Sequence, residues 1–380
     1  MKIAIVHDFL TKIGGAEKVL QTMHRIFPDA PIYTLLYDKK GTRGEFEKAG
    51  YDIRTPKLQK LPGFLRRRSR LLLPKFSQAI EEFDMTKYDI VISSSNSFAH
   101  GTITRPNTLH ITYCYSPMRY AWDWTHQYLK ENKIGFGLTG IYVRKMISNL
   151  RVWDFLASKR TDEWLAISKT VAKRIKKYYK KNCVVIYPPV EIDKYLNNKN
   201  KPEDFYLIVS RLTQYKKIDL AISVFNDLNI PLVIIGEGSD RRRLEKLADK
   251  NIKFLGWKND RDKIRYFQKC RGFLFPGEDD FGITPIEAMA AGRPVIAYNA
   301  GGATETVISG KTGEFFDDYD NPLSLKNTVL KVEKNYNKYL PDICKKQAKE
   351  FSEEIFTRKF KNFLESSYKK FQDENQQKKN

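Results

Sequence analysis

The chain has 380 residues and a formal net charge of +22, from 67 Lys plus Arg against 45 Asp plus Glu. Hydrophobic residues make up 41% of it, which is enough apolar material for large cores and excludes an intrinsically disordered chain. No segment approaches the roughly 18 consecutive apolar residues that span a bilayer, and the amino-terminal apolar run is too short for a signal peptide. We therefore expect neither a secreted nor a membrane-spanning protein. The positive charge indicates polyanionic partners, such as nucleic acid, phosphorylated metabolites or an anionic membrane.

The cysteines give no sign of a metal site or a disulfide framework. Cys114, Cys183, Cys270 and Cys344 lie far apart in the sequence, and no pair has the spacing of metal ligands or of a redox motif. A disulfide framework is not expected in a chain of this size. The cysteine usage therefore indicates a reducing compartment.

Short apolar runs alternate with amphipathic stretches from one end of the chain to the other. Residues 3–6 predict a strand, a glycine-bearing turn at 13–15 follows, and residues 16–27 carry apolar side chains at the spacing of a helix. Further strands are predicted at 88–93, 109–115 and 183–187, and a second series at 205–210, 232–236, 252–256, 272–275 and 294–298. Strands that alternate with helices indicate parallel sheets.

A stretch rich in Pro, Asn and Lys, residues 187–202, separates the two series of strands. We therefore predict two α/β domains, residues 1–190 and 203–352, joined by a linker at 191–202. An apolar stripe predicts a last helix at 353–371, followed by a polar, frayed tail at 372–380; the stripe consists of Phe356, Phe360, Phe363 and Leu364. Ligands of such sheets bind beyond the carboxyl ends of the strands, so we expect a ligand in the cleft between the domains.

The chemically richest stretch is the acidic loop and helix after the strand predicted at 272–275. Thr284 has the chemistry of an N-cap and Pro285 that of a first helical residue, Glu287 would complete a capping box, and Gly292 fits the C′ position. The free N–H groups and positive dipole at the helix start suit a diphosphate. Carboxylates at Asp279 and Glu287 suit neutral hydroxyls of a sugar or ribose instead. For Glu287 the capping role and the ligand role stay open.

Residues 278–292, continued by 293–297 and by Gly301-Gly302-Ala303-Thr304-Glu305, resemble the donor-site signature of the retaining glycosyltransferases of family 4. The family pattern places two carboxylates eight positions apart around a Phe-Gly pair, and here these are Asp279, where relatives usually have Glu, and Glu287. The resemblance implies the GT-B fold, with two Rossmann-like parallel-sheet domains facing each other across a cleft. It also implies that the C-terminal helix returns to the N-terminal domain.

Two further segments resemble the donor-binding parts of that family. Residues 210–219 are similar to an Arg-Leu…Lys-Gly…Asp segment in which Arg211 and Lys216 clamp the donor diphosphate, and Lys217 stands at the usual glycine. Residues 7–17 resemble the glycine loop after the first strand, which approaches the donor phosphate from the opposite domain. The resemblance implies a catalytic role for Asp279, Arg211 and Lys216. It implies donor binding by Gly14, Gly15, Arg211, Lys216, Asp279, Phe281, Gly282, Ile283, Thr284 and Glu287.

The acceptor side departs from the family pattern. Residues 91–95 and 113–123 look family-like, but relatives commonly carry His where Tyr115 stands, and His and Lys where Asn96 and His100 stand. We take Asp8, Asn96, His100 and Tyr115 as candidate acceptor-side residues. Packing of a strand-end aromatic side chain into the core explains Tyr115 equally well.

The resemblance implies a cofactor-free, metal-independent retaining glycosyltransferase that acts on a GDP- or UDP-linked sugar, with mannose as the first candidate hexose. The expected acceptor is a saccharide or lipid-linked saccharide in cell-surface glycan biosynthesis. Residues 309–313 contain Gly-Lys-Thr but are not a P-loop, because Glu305 stands where that motif needs glycine. The alternatives are a sugar-nucleotide epimerase of the same architecture, a catalytically inactive sugar-binding relative, and a nucleic-acid-binding protein. The sequence contains no RNA-recognition, zinc or helix-turn-helix signature of a nucleic-acid-binding protein, so we expect no nucleic-acid partner.

Residues 57–75 form a cationic segment with no acidic residue and with Leu and Phe interleaved. Its basic residues are Lys57, Lys60, Arg66, Arg67, Arg68, Arg70 and Lys75. Such a segment is typical of a membrane-surface element, although a solvated basic loop over a core edge fits the same pattern. We expect a cytoplasmic protein that is peripheral on the inner face of the cytoplasmic membrane. A second basic run, residues 169–181, predicts the solvated face of a helix.

Overall fold

The computed structural model describes residues 1–67, 69–135, 137–198 and 200–377, without the side chains of residue 67 and residues 69–71. The chain divides into two compact units. Unit 1 comprises Met1–Tyr187 and Thr357–Asn380, and unit 2 comprises Pro188–Phe356. Each unit is an α/β structure around one parallel sheet, which confirms the predicted fold class.

Unit 1 is built on a seven-stranded parallel sheet in the order β3-β2-β1-β4-β5-β6-β7. Its strands are β1 (Ile3–Leu10), β2 (Ile32–Tyr37), β3 (Ile53–Arg54), β4 (Ile90–Ser95), β5 (Leu109–Cys114), β6 (Glu163–Ala166) and β7 (Val184–Val185). Its first seven helices are α1 (Gly15–Ile26), α2 (Glu45–Lys48), α3 (Gly63–Arg67), α4 (Ser69–Glu81), α5 (Thr125–Glu131), α6 (Leu138–Ala157) and α7 (Lys169–Tyr179). The strand order reverses between β1 and β4, and such a switch point opens a crevice at the carboxyl ends of the strands.

The core of unit 1 lies between the sheet and the helices that cover it. Val6 of β1, Leu35 of β2 and Val91 of β4 are fully buried and belong to one apolar cluster with Phe76 and Ile80 of α4. Near-continuous apolar strands are expected where a parallel sheet is covered on both faces.

Unit 2 is built on a six-stranded parallel sheet in the order β10-β9-β8-β11-β12-β13. Its strands are β8 (Tyr206–Val209), β9 (Leu232–Ile235), β10 (Ile252–Gly256), β11 (Gly272–Phe275), β12 (Val295–Tyr298) and β13 (Gly313–Phe316). Its helices are α8 (Asp193–Leu196), α9 (Ile218–Leu228), α10 (Arg241–Leu247), α11 (Asp260–Lys269), α12 (Ile283–Ala290), α13 (Ala303–Thr306), α14 (Pro322–Lys334) and α15 (Pro341–Lys349). Ile208, Phe225, Leu274, Ile296 and Val329 lie at the centre of its core.

The stretch predicted as a linker, residues 191–202, includes α8 and packs on unit 2. Tyr195 of α8 is buried with its ring 5.6 Å from that of Phe267, and the Asn198 amide donates to the carbonyl oxygens of Gln268 and Ala291. The chain therefore passes into unit 2 soon after Tyr187. The absence of an apolar rhythm in this stretch reflects the short length of α8.

The last helix, α16 (Glu353–Gln377), carries the predicted apolar stripe and is shared by the two units. Phe360 and Leu364 are buried in unit 1, where the Phe360 ring lies 6.4 Å from that of Phe27 and 6.2 Å from that of Tyr113. The predicted tail differs from the structure, because the helix continues through Gln377 instead of ending near residue 371; residues 378–380 lie outside the described part. Among the residues that the structure describes, no helix combines the length and apolar character that crossing a bilayer requires.

Candidate functional site

Three loops of unit 2 meet at the carboxyl ends of the neighbouring strands β8, β11 and β12. A Cβ atom on Gly277 would lie 2.7 Å from the Cα of Lys216, and one on Gly302 would lie 2.2 Å from the Cα of Phe281. The Gly302 amide donates to the Asp279 carbonyl oxygen at 2.8 Å. The loops therefore approach so closely that glycine is required at both contact points.

The loops bring Lys216 and Asp279 into contact, although the two residues lie far apart in the sequence. Lys216 is 8% exposed, and its ammonium group donates to the Asp279 carboxylate. The same Nζ lies 4.9 Å from the centroid of the Tyr215 ring and 5.8 Å from that of the Phe275 ring. Arg211, the other predicted clamp residue, follows β8 with its side chain exposed. The site thus holds a largely buried cation next to a carboxylate that remains partly accessible.

The predicted capping box at the start of α12 is wrong. The helix begins at Ile283 with Gly282 as its N-cap, and this N-cap residue makes no side-chain cap hydrogen bond. Gly282 has a φ of +88°, a left-handed conformation that glycine adopts without strain, and this lets the helix start before Thr284. Thr284 and Pro285 therefore lie inside the first turn, and Thr284 is not the N-cap.

Glu287 is buried in the middle of α12 rather than at its cap. Its Oε1 accepts a hydrogen bond from Lys263 Nζ of α11 at 3.0 Å, whereas no hydrogen bond of normal geometry reaches Oε2 within the described residues. Burial alone would lower the pKa of Lys263, but the Glu287 and Asp260 carboxylates outweigh it and raise that pKa. Burial, and then the Glu287 carboxylate, raise the pKa of the nearby Tyr195 hydroxyl. One oxygen of Glu287 is thus held by Lys263, and the Tyr195 hydroxyl lies next to the carboxylate.

Unit 1 contains a cavity of about 1060 Å³ at the carboxyl ends of β1, β2 and β4. Two of the candidate acceptor-side residues, Asp8 and Asn96, line it. Asp8 is buried, and its carboxylate accepts four backbone N–H groups at 2.5–2.9 Å, from residues 96–99. Its visible role is to hold the loop after β4, which places the exposed Asn96 at the cavity wall.

His100 lies in the core of unit 1 rather than at the cavity wall. It is 2% exposed, and its ring lies 5.7–5.9 Å from the rings of Trp153, Trp164 and Tyr179. Its Nε2 is 3.2 Å from the buried Asp154 carboxylate. The structure therefore does not bring His100 together with Asp8 and Asn96 as a group that faces a ligand.

Tyr115 belongs to a hydrogen-bonded chain behind the cavity wall. Its hydroxyl donates to the Ala16 carbonyl oxygen at 3.1 Å and contacts Ser94 Oγ at 2.8 Å, and Ser94 Oγ in turn lies 2.9 Å from His7 Nδ1. On its other side His7 Nε2 lies 3.9 Å from Glu17 Oε1. Burial raises the pKa of Tyr115; it would also raise that of Glu17, but the interaction with His7 outweighs it and lowers the Glu17 pKa.

Gly14 and Gly15 lie at the start of α1 in unit 1, with Gly14 as the N-cap. A Cβ atom on Gly14 would lie 3.0 Å from Glu17 Oε2, so this position favours glycine next to that carboxylate. Sequence reasoning assigned no role to Glu17, His7, Ser94 or Lys263. The Gly-Gly-Ala-Glu run is the sequence feature that could have pointed to Glu17. No sequence motif pointed to Lys263.

The two units together have the fold of GT-B glycosyltransferases. The structure of sucrose-phosphate synthase from Thermosynechococcus elongatus matches with a TM-score of 0.74 and 16% identity, over 96% of this chain and 99% of that one. The Anabaena protein HepE, in complex with UDP, matches with a TM-score of 0.69 and 17% identity, over 96% of this chain and 100% of that one.

Residues 190–351, nearly all of unit 2, match the family model of the glycosyl transferases group 1. An uncharacterized glycosyltransferase of Methanocaldococcus jannaschii is 29% identical over 203 residues, which cover 52% of this chain and 57% of that protein. The O-antigen chain mannosyltransferase C of Escherichia coli is 32% identical over 116 residues, which cover 29% of this chain and 31% of that protein. The chain thus spans about half, or less, of the length of these curated relatives. The matches do not favour the epimerase or the nucleic-acid-binding alternative.

Proposed function

We propose that the protein is a retaining glycosyltransferase that moves a hexose from a nucleoside-diphosphate sugar to a saccharide or lipid-linked saccharide in glycan biosynthesis. The observation that carries the proposal is the pair between Lys216, in the loop after β8, and Asp279, in the loop that leads to the start of α12. A cation and the backbone N–H groups of a helix start suit a diphosphate, and a carboxylate suits sugar hydroxyls. The match of unit 2 to the glycosyl transferases group 1 model supports the donor class, as does the UDP bound to HepE. The mannosyltransferase among the relatives supports mannose as the first candidate hexose.

The side chains of unit 2 divide between the parts of such a donor. Arg211, Lys216 and the N–H groups at Ile283 and Thr284 hold the diphosphate, and Glu287 accepts a ribose hydroxyl. Asp279, with the backbone around Phe281 and Gly282, orients the sugar hydroxyls. When the diphosphate binds Lys216 in place of Asp279, the Asp279 carboxylate becomes available to the sugar hydroxyls. The approach of Gly14 and Gly15 to the donor phosphates stays a prediction from the resemblance.

The reaction proposed is front-face substitution with retention of the anomeric configuration. The bond between the anomeric carbon and the diphosphate oxygen breaks, the acceptor hydroxyl attacks from the same face, and the leaving oxygen takes the proton of that hydroxyl. The main contribution of the protein is to stabilise the negative charge that develops on the diphosphate. Arg211, Lys216 and the helix dipole supply this stabilisation in place of a metal ion, and no cofactor is required.

The test uses substitutions of the two cations. Arg211→Ala and Lys216→Ala should each lower the release of nucleotide from UDP-glucose or GDP-mannose by at least about 100-fold, because charge stabilisation in the transition state is lost. Lys326→Ala, which removes a surface lysine paired with Asp227, is the matched control and should not change the rate. Near-wild-type rates in both site variants would reject the diphosphate clamp. A product that is an epimer of the donor, with no nucleotide released, would favour the epimerase.

Metal independence has its own test. Nucleotide release should be unchanged in EDTA, because the positive charge comes from side chains. A strict requirement for a divalent cation would overturn this part of the proposal.

We also propose that unit 1 docks on an anionic membrane, at the inner face of the cytoplasmic membrane. Two observations support this: Phe64 of α3, within the basic segment, is 58% exposed, and Leu138, Ile141 and Tyr142 at the start of α6 are 60–87% exposed. Within the segment Leu72 packs inward, whereas Arg68 and the side chains of residues 67 and 69–71 lie outside the described part. Lysines and arginines near an anionic surface contribute about 1 kcal/mol each.

Vesicle sedimentation tests the membrane proposal. The protein should sediment with vesicles that contain phosphatidylglycerol and not with pure phosphatidylcholine vesicles. Leu138→Glu should weaken the binding, whereas Leu323→Glu, at an exposed leucine of unit 2, should not. Equal binding to both vesicle types would reject the proposal.

A further inference from the structure

The cavity of unit 1 has a carboxylate in its wall that the proposed donor roles leave unused. Glu17 lines the cavity with 11% of its side chain exposed, and His7 lines it with 3% exposed. The volume of about 1060 Å³ lies at the upper end of the range of about 300–1,000 Å³ that is typical of small-molecule sites. The cavity therefore has room for more than one sugar ring.

The hydrogen-bonded chain behind Glu17 has one direction, from His7 to the Ala16 carbonyl oxygen. That oxygen can only accept, so the single hydroxyl proton of Tyr115 points to it. Ser94 must then donate to the Tyr115 oxygen, and the Ser94 oxygen must accept from His7. His7 Nδ1 therefore donates to Ser94, which fixes the orientation of the ring, and its Nε2 faces Glu17 Oε1 at 3.9 Å. This separation is an ion-pair distance and is longer than a hydrogen bond.

The surroundings of Glu17 keep its carboxylate ionised at neutral pH. Burial would raise its pKa, but the interaction with His7 and backbone hydrogen bonds from Gly14 and Glu17 outweigh it and lower that pKa. An ionised carboxylate only accepts hydrogen bonds. A group of this kind, held in a nearly buried wall, suits the hydroxyl of a ligand and repels a phosphate.

The rest of the lining indicates a neutral ligand. Four acidic and four basic side chains line the cavity, so their formal charges cancel. Three tyrosines, Tyr37, Tyr120 and Tyr128, add ring surface that suits the C–H faces of a sugar. Balanced charge, an accepting carboxylate and aromatic surface together favour a polyhydroxylated, uncharged molecule.

We propose that Glu17 binds a hydroxyl of a neutral saccharide acceptor in this cavity, and that His7, Ser94 and Tyr115 are positioning residues that hold its carboxylate in place. The proposal rests on the proposed glycosyl transfer and adds to it the contact residue and the class of acceptor. Tyr115 then has a definite function at its position, because it anchors the chain to the backbone at the start of α1.

The experiment measures sugar binding to the full chain by saturation-transfer difference NMR. The probes are the methyl α-glycosides of mannose, glucose and galactose. At least one should bind the wild-type protein, and Glu17→Gln should weaken that binding by about 10- to 100-fold, as expected for the loss of a hydrogen bond to a charged group. Glu17→Asp, which keeps the charge, should recover part of the affinity. Glu45→Gln, a charge removal in α2 away from the cavity lining, should bind as wild type.

Tyr115→Phe tests the positioning chain separately. It removes one neutral hydrogen bond and should weaken sugar binding by about 5-fold while Glu17 is still present. Thermal unfolding checks that each variant is folded. The rise in unfolding temperature that UDP-glucose or GDP-mannose produces should be the same in the wild type, Glu17→Gln and Tyr115→Phe. If Glu17 and Tyr115 had only a structural role, their substitution would lower the unfolding temperature and weaken the binding of both the glycoside and the nucleotide sugar.

The outcomes separate the two proposals. If no probe binds the wild type, or if Glu17→Gln binds the probe as the wild type does, the acceptor proposal is overturned. If no nucleotide sugar stabilises the wild type, the proposed function fails, whereas the sugar-binding result still decides the role of Glu17.

Discussion

Loss of one partner of the buried ion pair between Lys263 and Glu287 should strongly destabilise unit 2. The two charged atoms lie 3.0 Å apart, and only 14% and 7% of the two side chains are exposed. At this distance and an effective dielectric constant of about 20, the attraction is about 5.5 kcal/mol. Lys263→Met keeps the length of the side chain but leaves a buried carboxylate without its partner. We expect a loss of about 3–5 kcal/mol in the free energy of unfolding of unit 2.

The assay is urea unfolding of the full chain, followed by hydrogen exchange at the amides of α11 and α12. For a unit of this size, the expected loss corresponds to a fall of about 6–20 °C in the unfolding temperature. Lys269→Met on the same helix is the matched control. Lys269 pairs with Glu203 at 2.8 Å, but both side chains are about half exposed, so its loss should be below about 1 kcal/mol.

Two results would refute this reasoning. One is an equal loss in Lys263→Met and Lys269→Met. The other is a double variant, Lys263→Met with Glu287→Gln, that is no more stable than Lys263→Met, because removal of the orphaned charge should restore part of the stability. The pKa of Lys263 is raised, so its contribution is complete below the unfolded value of about 10.4 and is lost as the pH rises through the higher folded value. The difference between wild type and Lys263→Met should therefore stay constant through neutral pH and decrease only above about pH 10.

Three further predictions concern single features of the two units. Asp8→Asn should lower the free energy of unfolding of unit 1 by about 1.5–3 kcal/mol in urea, because one amide oxygen replaces a carboxylate that serves four N–H donors. Gly302→Ala should cost about 1–3 kcal/mol in thermal unfolding and weaken nucleotide binding, because its Cβ would lie 2.2 Å from the Phe281 Cα. Burial would raise the pKa of Glu314, but hydrogen bonds led by Lys331 outweigh it and lower that pKa. Its contribution is therefore complete above the unfolded value of about 4.3 and is lost as the pH falls through the lower folded value, so Glu314→Gln should be less stable than wild type at pH 7, by a difference that shrinks as the pH falls below about 4.

Each of these three predictions has a control. Asp29→Asn, at an exposed carboxylate, should leave the free energy of unfolding of unit 1 unchanged. A loss as large as that in Asp8→Asn would show that the four hydrogen bonds of Asp8 do not stabilise unit 1. Gly137→Ala, where a Cβ would meet nothing within 4 Å, should be neutral; an equal effect would mean that the close contact at Gly302 does not matter. For Glu314, a stability difference that does not shrink at all as the pH falls below about 4 would contradict the assigned pKa direction.

The sequence predicted most strands of both units but missed four. Residues 252–256 and 272–275 were predicted with the observed bounds, and Gly292 is the C′ residue of α12, as expected, with the Arg293 N–H bonded to the Ala288 carbonyl at 3.0 Å. The missed strands are β2, β3, β6 and β13. β3 has only two residues, which are too few to display a period. β2 has six residues and β6 and β13 have four each, the length of strands that were predicted, so length does not explain those three.

The site was predictable in part, for a physical reason. Asp279 and Glu287 lie in one continuous motif, so their spacing is visible in the sequence. Lys263 reaches Glu287 across 24 residues, and His7 reaches Ser94 across 87 residues because β1 and β4 are neighbours in the sheet. Contacts of this kind are set by strand order and not by spacing along the chain. The capping box was predicted wrongly because the start of the helix is set by the backbone conformation of Gly282, which the spacing of side chains in the sequence does not show.

Unit 1 is assembled from two stretches of the chain, Met1–Tyr187 and Thr357–Asn380, with all of unit 2 encoded between them. During translation every residue of unit 2 is therefore synthesised before Phe360 and Leu364. The apolar surface around Phe27 and Tyr113 that Phe360 covers stays bare in the nascent protein until then, and such surface is prone to aggregate. Unit 1 thus stays incomplete until the residues after Phe356 have been made.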